Sequence, residues 1–416
     1  MTKKQSLYAF IYLYIAIFIL IAGRVAVDVW TAIGAIVGIV FLIKYPKVIY
    51  GELKNNKFLI IFLACFIPVM ISFIDTLNVS RTLSVIGRLI RYFFISVLVI
   101  LMVEDDANDE KLLKYTFYAL LFICIDAMAH WIFQFNIYGS NPIPAGGRVR
   151  GIFGKAHHLS YYLGTLAPVM FLFLFKKWEK QKSLLTGVII GAILCSLICA
   201  VIIGGARAGI VSLLVSVFLF VIYLFSQGKI KQKLRFMTVM LGMIAISVGI
   251  ASQSEAVQKR FKLTTTVTQD SSFMHRFTTS RTHLWDATLK VIPQHIVNGT
   301  GARAFDAAYQ KLPDNYKEST YVYHSHMHGL EVLVETGIIG FIPYLLVCLY
   351  LFIRIFTAKA GNVWLMVALV AMMPLNTHLG LFEVYWMPMI WLPLMIGLAQ
   401  AYKADKVARG KPSLLY

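Results

Sequence analysis

Hydrophobic and polar positions are unevenly spread along this chain, with long apolar runs separated by short charged segments. Runs of roughly 17 to 22 residues that are almost free of charge are long enough to cross about 30 Å of hydrocarbon as helices. Twelve are predicted, near 7–22, 28–43, 58–74, 84–103, 113–135, 159–175, 184–203, 208–225, 236–252, 329–353, 362–379 and 383–401. The first follows MTKK with no small-residue cleavage site after it, so it reads as a retained anchor rather than a signal sequence. The expected fold is an all-α integral membrane protein of about 12 transmembrane helices, a single polytopic domain over 1–416.

Composition agrees. The chain is 59% hydrophobic and 14% charged, where soluble proteins carry about 25% charged residues. That leaves too little charge to cover a water-facing surface. All five cysteines (Cys65, Cys124, Cys195, Cys199, Cys348) fall inside predicted spans, where packing is the expected role.

The charges that do occur are sorted. With the N-terminus inside, the inner segments hold 22 of the 39 basic residues, and 19 of those 22 are Lys. This is the positive-inside pattern. Of the other 17, 11 are Arg, including Arg24, Arg81, Arg88, Arg91, Arg148, Arg150, Arg207, Arg260, Arg276, Arg281 and Arg303. Lysine suffices for attraction to an anionic leaflet, whereas arginine suits a planar fork that must hold an oxyanion. Arg88 and Arg91 sit toward the interior of a span, where charge is costly and functional by default. The outer face therefore reads as arranged for a phosphorylated ligand.

Two outer loops are long. One covers Asn136 to about His158. The other covers Ala251 to about His328 and is too long for a connector, so a partly helical cap over 251–328, inserted before the tenth span, is predicted. It contains the helix-like THLWDATLKVI and the turn signal NGTG at Asn298 to Gly301.

Four constellations carry candidate chemistry. GGRVRGIFGKAHHLSYYLG, from Gly146, offers Arg148 and Arg150 on a backbone loosened by glycine, with His157 and His158 expected to cap the next helix. GGARAG, Gly204 to Gly209, places Arg207 at a hairpin between two spans with no local carboxylate. SRTHLWDATLKVI sets Arg281 one turn before Trp285. HSHMHGLEVLVETGIIGF brings His324, His326 and His328 to the mouth of an apolar segment, with Glu331 and Glu335 downstream to orient a ring. An imidazole titrates near neutral pH and can accept a hydroxyl proton. Zinc is a weaker reading, since there is no HExxH and no carboxylate cluster on that face completes a ligand set. The acidic VEDDANDE, Val103 to Glu110, reads as a solvated inner helix start.

The order of these pieces resembles the O-antigen ligase and Wzy polymerase superfamily: an Arg–Gly loop with GIFG, then GGARAG, then Arg281 with Trp285 and NGTG, then a histidine shortly before ETGIIG. The resemblance spans roughly Arg148 to Phe341. The family's histidine, followed by nine intervening residues and GxxG, aligns on His326 with Gly337 and Gly340. Met327 stands where a polar residue is usual, so His324, followed by Ser325, is kept in reserve. The family arginines align on Arg207 and Arg281, with Arg148 or Arg150 in the earlier loop.

The resemblance implies a GT-C-like, inverting glycosyltransferase of the bacterial inner membrane with its site facing the periplasm. Its donor would be an undecaprenyl diphosphate-linked O-antigen glycan and its acceptor lipid A-core oligosaccharide. Its surroundings would be membrane lipids, and neither cofactor, metal nor nucleic acid is expected. His326, Arg207 and Arg281 would be catalytic. Arg148, Arg150, Arg88, Arg91, His324, His328 and Trp285 would hold diphosphate and glycan. O-antigen polymerase and protein O-oligosaccharyltransferase share the chemistry and differ in acceptor. A transporter of an anionic solute would need charge through the bilayer depth, whereas here the span centres are mostly apolar.

Overall fold

The computed structural model describes residues 2–143, 147–154, 158–227, 230–253, 257–259, 281–316, 322, 324–377 and 379–409. In chain order its α-helices are α1 (Lys3–Ala22), α2 (Arg24–Lys44), α3 (Pro46–Asn55), α4 (Phe58–Ser72) and α5 (Val79–Val103). Next come α6 (Asp106–Phe133), α7 (Leu159–Lys180), α8 (Leu184–Ile203), α9 (Arg207–Ser226) and α10 (Ile230–Ala251). The last are α11 (Arg281–Val291), α12 (Phe305–Tyr309), α13 (His328–Thr357), α14 (Asn362–Met372) and α15 (Met387–Ala408). Strands β1 (Phe135–Asn136) and β2 (Gly139–Ser140) form one small antiparallel hairpin.

Each of the twelve apolar segments contains a helix. Among the described residues, eight helices are long and apolar enough to cross a membrane, or nine if the bent pair α3–α4 is one span. Two of the remaining apolar segments lie at the chain's end. Helix α14 has 11 residues, about 16 Å at 1.5 Å per residue, well short of the roughly 30 Å of hydrocarbon. Helix α15 carries Lys403, Asp405 and Lys406 in its last turns.

The chain forms two compact units. One comprises Met1–Glu110 with Thr278–Tyr416, the other Lys111–Phe277. In the first, Thr2 and Gln5 close a capping box at the start of α1, Phe58 and Phe62 pack their rings against Trp391, and Phe93 packs on both phenylalanines. An apolar cluster in this unit gathers Ala287, Val291, Ile292, Phe305, Tyr309 and Val334, while residues 254–256, 260–280, 317–321 and 323 of the predicted cap lie outside the described residues. VEDDANDE is less solvated than expected. Lys403 Nζ pairs with Asp106 at 2.7 Å and Gln400 donates to Asp109 at 3.0 Å, while Glu104 and Asn108 are buried.

The second unit relies on close backbone approach between α7 and α9. A Cβ on Gly164 would lie 2.4 Å from the Gly209 carbonyl oxygen, and Ser216 Oγ donates to the Gly164 carbonyl at 2.8 Å. Small residues that let helix backbones touch are the usual device where lipid removes the hydrophobic drive for helix association.

Candidate functional site

In the first unit the histidines are positioned by a break in α13. Gly337 has φ 62° and ψ −167° in mid-helix, a conformation open essentially only to glycine. The amides freed by the break are taken up by the loop before NGTG: Ile338 donates to the Ile296 carbonyl at 2.8 Å and Ile339 to that of Val297 at 3.3 Å. In return Thr300 donates to Val334 at 2.9 Å and Gly301 to Glu335 at 3.0 Å. A Cβ on Gly337 would fall 2.1 Å from Val297 oxygen, and one on Gly299 2.3 Å from the Glu335 carbonyl carbon. NGTG and ETGIIG, separate in sequence, are thus two halves of one interlock.

Just before α13, His326 adopts a left-handed φ of 54°, a strain of about 1–2 kcal/mol for a residue other than glycine. What holds it is His324, whose Nδ1 accepts the His326 backbone N–H at 3.1 Å, with the two rings 3.9 Å apart. A neutral imidazole that accepts at Nδ1 carries its proton on Nε2, so in this arrangement His324 offers an N–H there. Burial pushes the His324 ring well below its ordinary value, and the neighbouring His326, His328, Arg281 and Arg303 push it further. His326 itself is half-buried. His328 is buried, and its Nε2 donates to the Leu379 carbonyl at 2.8 Å, tying α13 to the segment before α15.

The two carboxylates expected to orient a ring do something else. Glu335 Oε2 accepts the backbone N–H of Arg303 at 2.6 Å, holding Arg303 at φ 59°. Glu331 Oε1 packs against Gly380 and accepts from the Leu381 and Phe382 amides. The Arg303 guanidinium pairs with Glu383. Arg281 begins α11 as predicted, and its NH1 donates to the Thr377 carbonyl at 3.1 Å. Trp285 is half-buried, with an Nε1 that meets no acceptor among the described residues.

The sequence assigned Arg303 no role. A signal was present: Gly-Ala-Arg-Ala occurs at 205–208 and again at 301–304.

Arg88 and Arg91 meet an acid that sequence spacing did not suggest. Asp28 Oδ1 of α2 lies 3.5 Å from Arg88 Nε and 3.3 Å from Arg91 NH1. Arg81 pairs likewise with Asp306 at 2.6 Å. Arg88 keeps a buried NH1 with no acceptor among the described residues and lies within electrostatic reach of Arg303.

In the second unit the Arg–Gly loop is fixed by its own network. His130 Nδ1 accepts the Gly151 N–H at 3.1 Å while its Nε2 donates to Asn141 at 2.9 Å. Asp126 accepts from Ile137 at 2.8 Å, and Tyr138 donates to Ile152 at 2.8 Å. Val149 donates to the Ile203 carbonyl at 3.3 Å, which joins this loop to the GGARAG hairpin. The hairpin is anchored by Ser160, whose Oγ accepts the Ala206 N–H at 3.2 Å. The result brings Arg148 within electrostatic reach of Arg207, with Arg150 two residues on. His158 stands at the start of α7 without a side-chain cap bond, contrary to expectation, its ring against Phe153 and Tyr161. His157, His378, Arg260 and Arg276 lie outside the described residues.

Among the described residues no three His, Cys, Asp or Glu side chains converge as metal ligands would. Comparison with known families matches residues 192–345 to the family described as O-antigen ligase (Wzy_C). No curated protein matches the chain.

Proposed function

We propose that this membrane protein, residues 192–345 of which match the family described as O-antigen ligase, transfers a glycan from an undecaprenyl diphosphate carrier to lipid A-core oligosaccharide. The observation that carries the proposal is the left-handed His326, held by neutral His324 beside Arg281 and Arg303. Non-glycine residues keep such conformations only where their surroundings over-determine them, and such places cluster at working sites.

In this reading His326 accepts the proton of the acceptor hydroxyl. The oxygen attacks the anomeric carbon of the donor sugar, the bond from that carbon to the diphosphate breaks, and the diphosphate leaves on its carrier. One displacement inverts the anomeric centre. Negative charge develops on the leaving diphosphate, and preorganised arginines offset it most strongly where water is scarce. Arg207 and Arg281 take that role, with Arg148 and Arg150 holding the diphosphate and Trp285 the glycan. The closeness of Arg148 and Arg207 supports this assignment, since two like charges set together are best relieved by an anion. No step calls for a metal, and the arrangement would be GT-C-like with its chemistry on the periplasmic side.

The test is lipopolysaccharide profiling in a host lacking its own ligase. Wild-type chain restores long-chain ladders and His326→Ala, present in the membrane at equal level, does not. A ladder restored only in a host lacking its polymerase would move the assignment to polymerase.

A further inference from the structure

The first unit contains a second charged feature, at the other end of α13 from the histidines. Between Ile338 and Arg354 that helix rises roughly 24 Å at 1.5 Å per residue, which sets the two features well apart. At the Arg354 end lies a cavity of about 510 Å³. Its lining includes Lys57, Arg354, Lys406, Arg409 and a single carboxylate, Asp405.

Three observations separate this cavity from an ordinary basic membrane edge. The inner segments hold 19 Lys and only three Arg, namely Arg235, Arg354 and Arg409. Two of those three arginines line this one cavity. Attraction to an anionic leaflet is served as well by lysine, whereas the guanidinium fork suits a phosphate held by two parallel hydrogen bonds.

The second observation is backbone strain. Lys57 has φ 68°, one of four left-handed residues other than glycine in the described chain, two of the others being Arg303 and His326. It sits at the 80° bend between α3 and α4, which makes the concave corner, and it precedes the amino end of α4 with its partial positive charge.

The third is charge balance. Arg354 pairs with Asp405 at 3.1 Å and Lys406 with Glu52 at 3.2 Å, which fixes those two cations in place. Lys57 and Arg409 add exposed charge to the same lining.

We propose that this cavity is a phosphate-binding site on the lysine-rich face, taking a phosphate ester of a lipid headgroup or of a soluble molecule. Arg354, oriented by Asp405, holds the phosphate oxygens. Lys57 and Arg409 close over it from the α3–α4 corner and the end of α15. The site is remote from the proposed glycan chemistry and stands or falls independently of it.

The experiment is native mass spectrometry of the full chain in neutral detergent. Three probes are used: dioctanoyl phosphatidylglycerol, glycerol 3-phosphate, and dioctanoyl phosphatidylcholine with the same acyl chains. Wild type binds phosphatidylglycerol saturably and in preference to phosphatidylcholine. Lys57→Gln with Arg409→Gln weakens that binding at least tenfold, and Arg409→Gln alone, at an exposed helix end, weakens it in the same direction. Competition by glycerol 3-phosphate identifies a soluble phosphate ester as ligand, and its absence identifies the lipid. Equal binding by wild type and the variants, or binding of neither anion by wild type, overturns the proposal.

Discussion

Two groups of arginines, one in each unit, differ in what surrounds their charge. In the first unit Arg81 meets Asp306, Arg88 and Arg91 meet Asp28, and Arg303 meets Glu383. In the second, Arg148, of the same sign, lies within electrostatic reach of Arg207, on a loop and hairpin held by glycine, Ser160 and His130. An arginine answered by an internal carboxylate holds the fold together. Under the proposed function, the arginines set beside one another are the ones that face the donor diphosphate. Both looked alike as outer arginines in the sequence, and only the fold distinguishes what surrounds them.

Substitutions can break or sharpen that contrast. The largest effect is expected at His326, where alanine removes a proton acceptor worth about 10²- to 10⁴-fold in rate; transfer measured in membranes that contain equal protein would show it. Next comes Arg207→Lys, expected to lower transfer roughly 100-fold because a point charge does not replace a fork on developing negative charge. Arg91→Lys keeps the charge facing Asp28 and is expected to retain activity within a few-fold. If the two lysine variants were equally impaired in the same assay, the division between structural and ligand-facing arginines would be lost.

A smaller effect concerns pH. Burial, then His326, His328, Arg281 and Arg303, hold the His324 ring neutral when folded, while an unfolded imidazole titrates near its ordinary 6.5. The stability this adds is complete above that value and fades as pH falls below it, because the unfolded chain then binds a proton that the folded one refuses. The thermal midpoint of wild type should therefore drop between pH 7 and pH 5 more steeply than that of His324→Gln. Parallel curves would show that His324 is not buried neutral. Smallest of all is the expected response to EDTA, which should leave transfer unchanged; strict dependence on added divalent ion would revive a metal-centred reading.

Much of the fold was legible because apolar runs report helices directly. Every predicted segment proved to contain one, and Arg281 opens its helix where the spacing put it. At α14 the predicted segment is longer than the helix, because the apolar run extends past it into Pro374 and the segment before α15. NGTG could be recognised as a turn, but nothing local announces that its partner is a helix break at Gly337.

The candidate site was legible in part for the same reason. The pair His324 and His326 was visible, but which ring faces a hydroxyl depends on one backbone hydrogen bond. Asp28, Asp306 and Glu383 lie 60 or more residues from the arginines they meet, beyond the reach of any spacing rule. Glu335 looked placed to orient an imidazole and instead grips the backbone of Arg303.

The most direct test of the account is transfer in a purified system. Full-length chain in detergent would be given an undecaprenyl diphosphate-linked glycan and lipid A-core acceptor, and product formation followed in a single turnover for wild type, His326→Ala and Arg207→Lys. The account predicts product from wild type, none above background from His326→Ala, and a strongly slowed reaction from Arg207→Lys. Product from His326→Ala at the wild-type rate would contradict it.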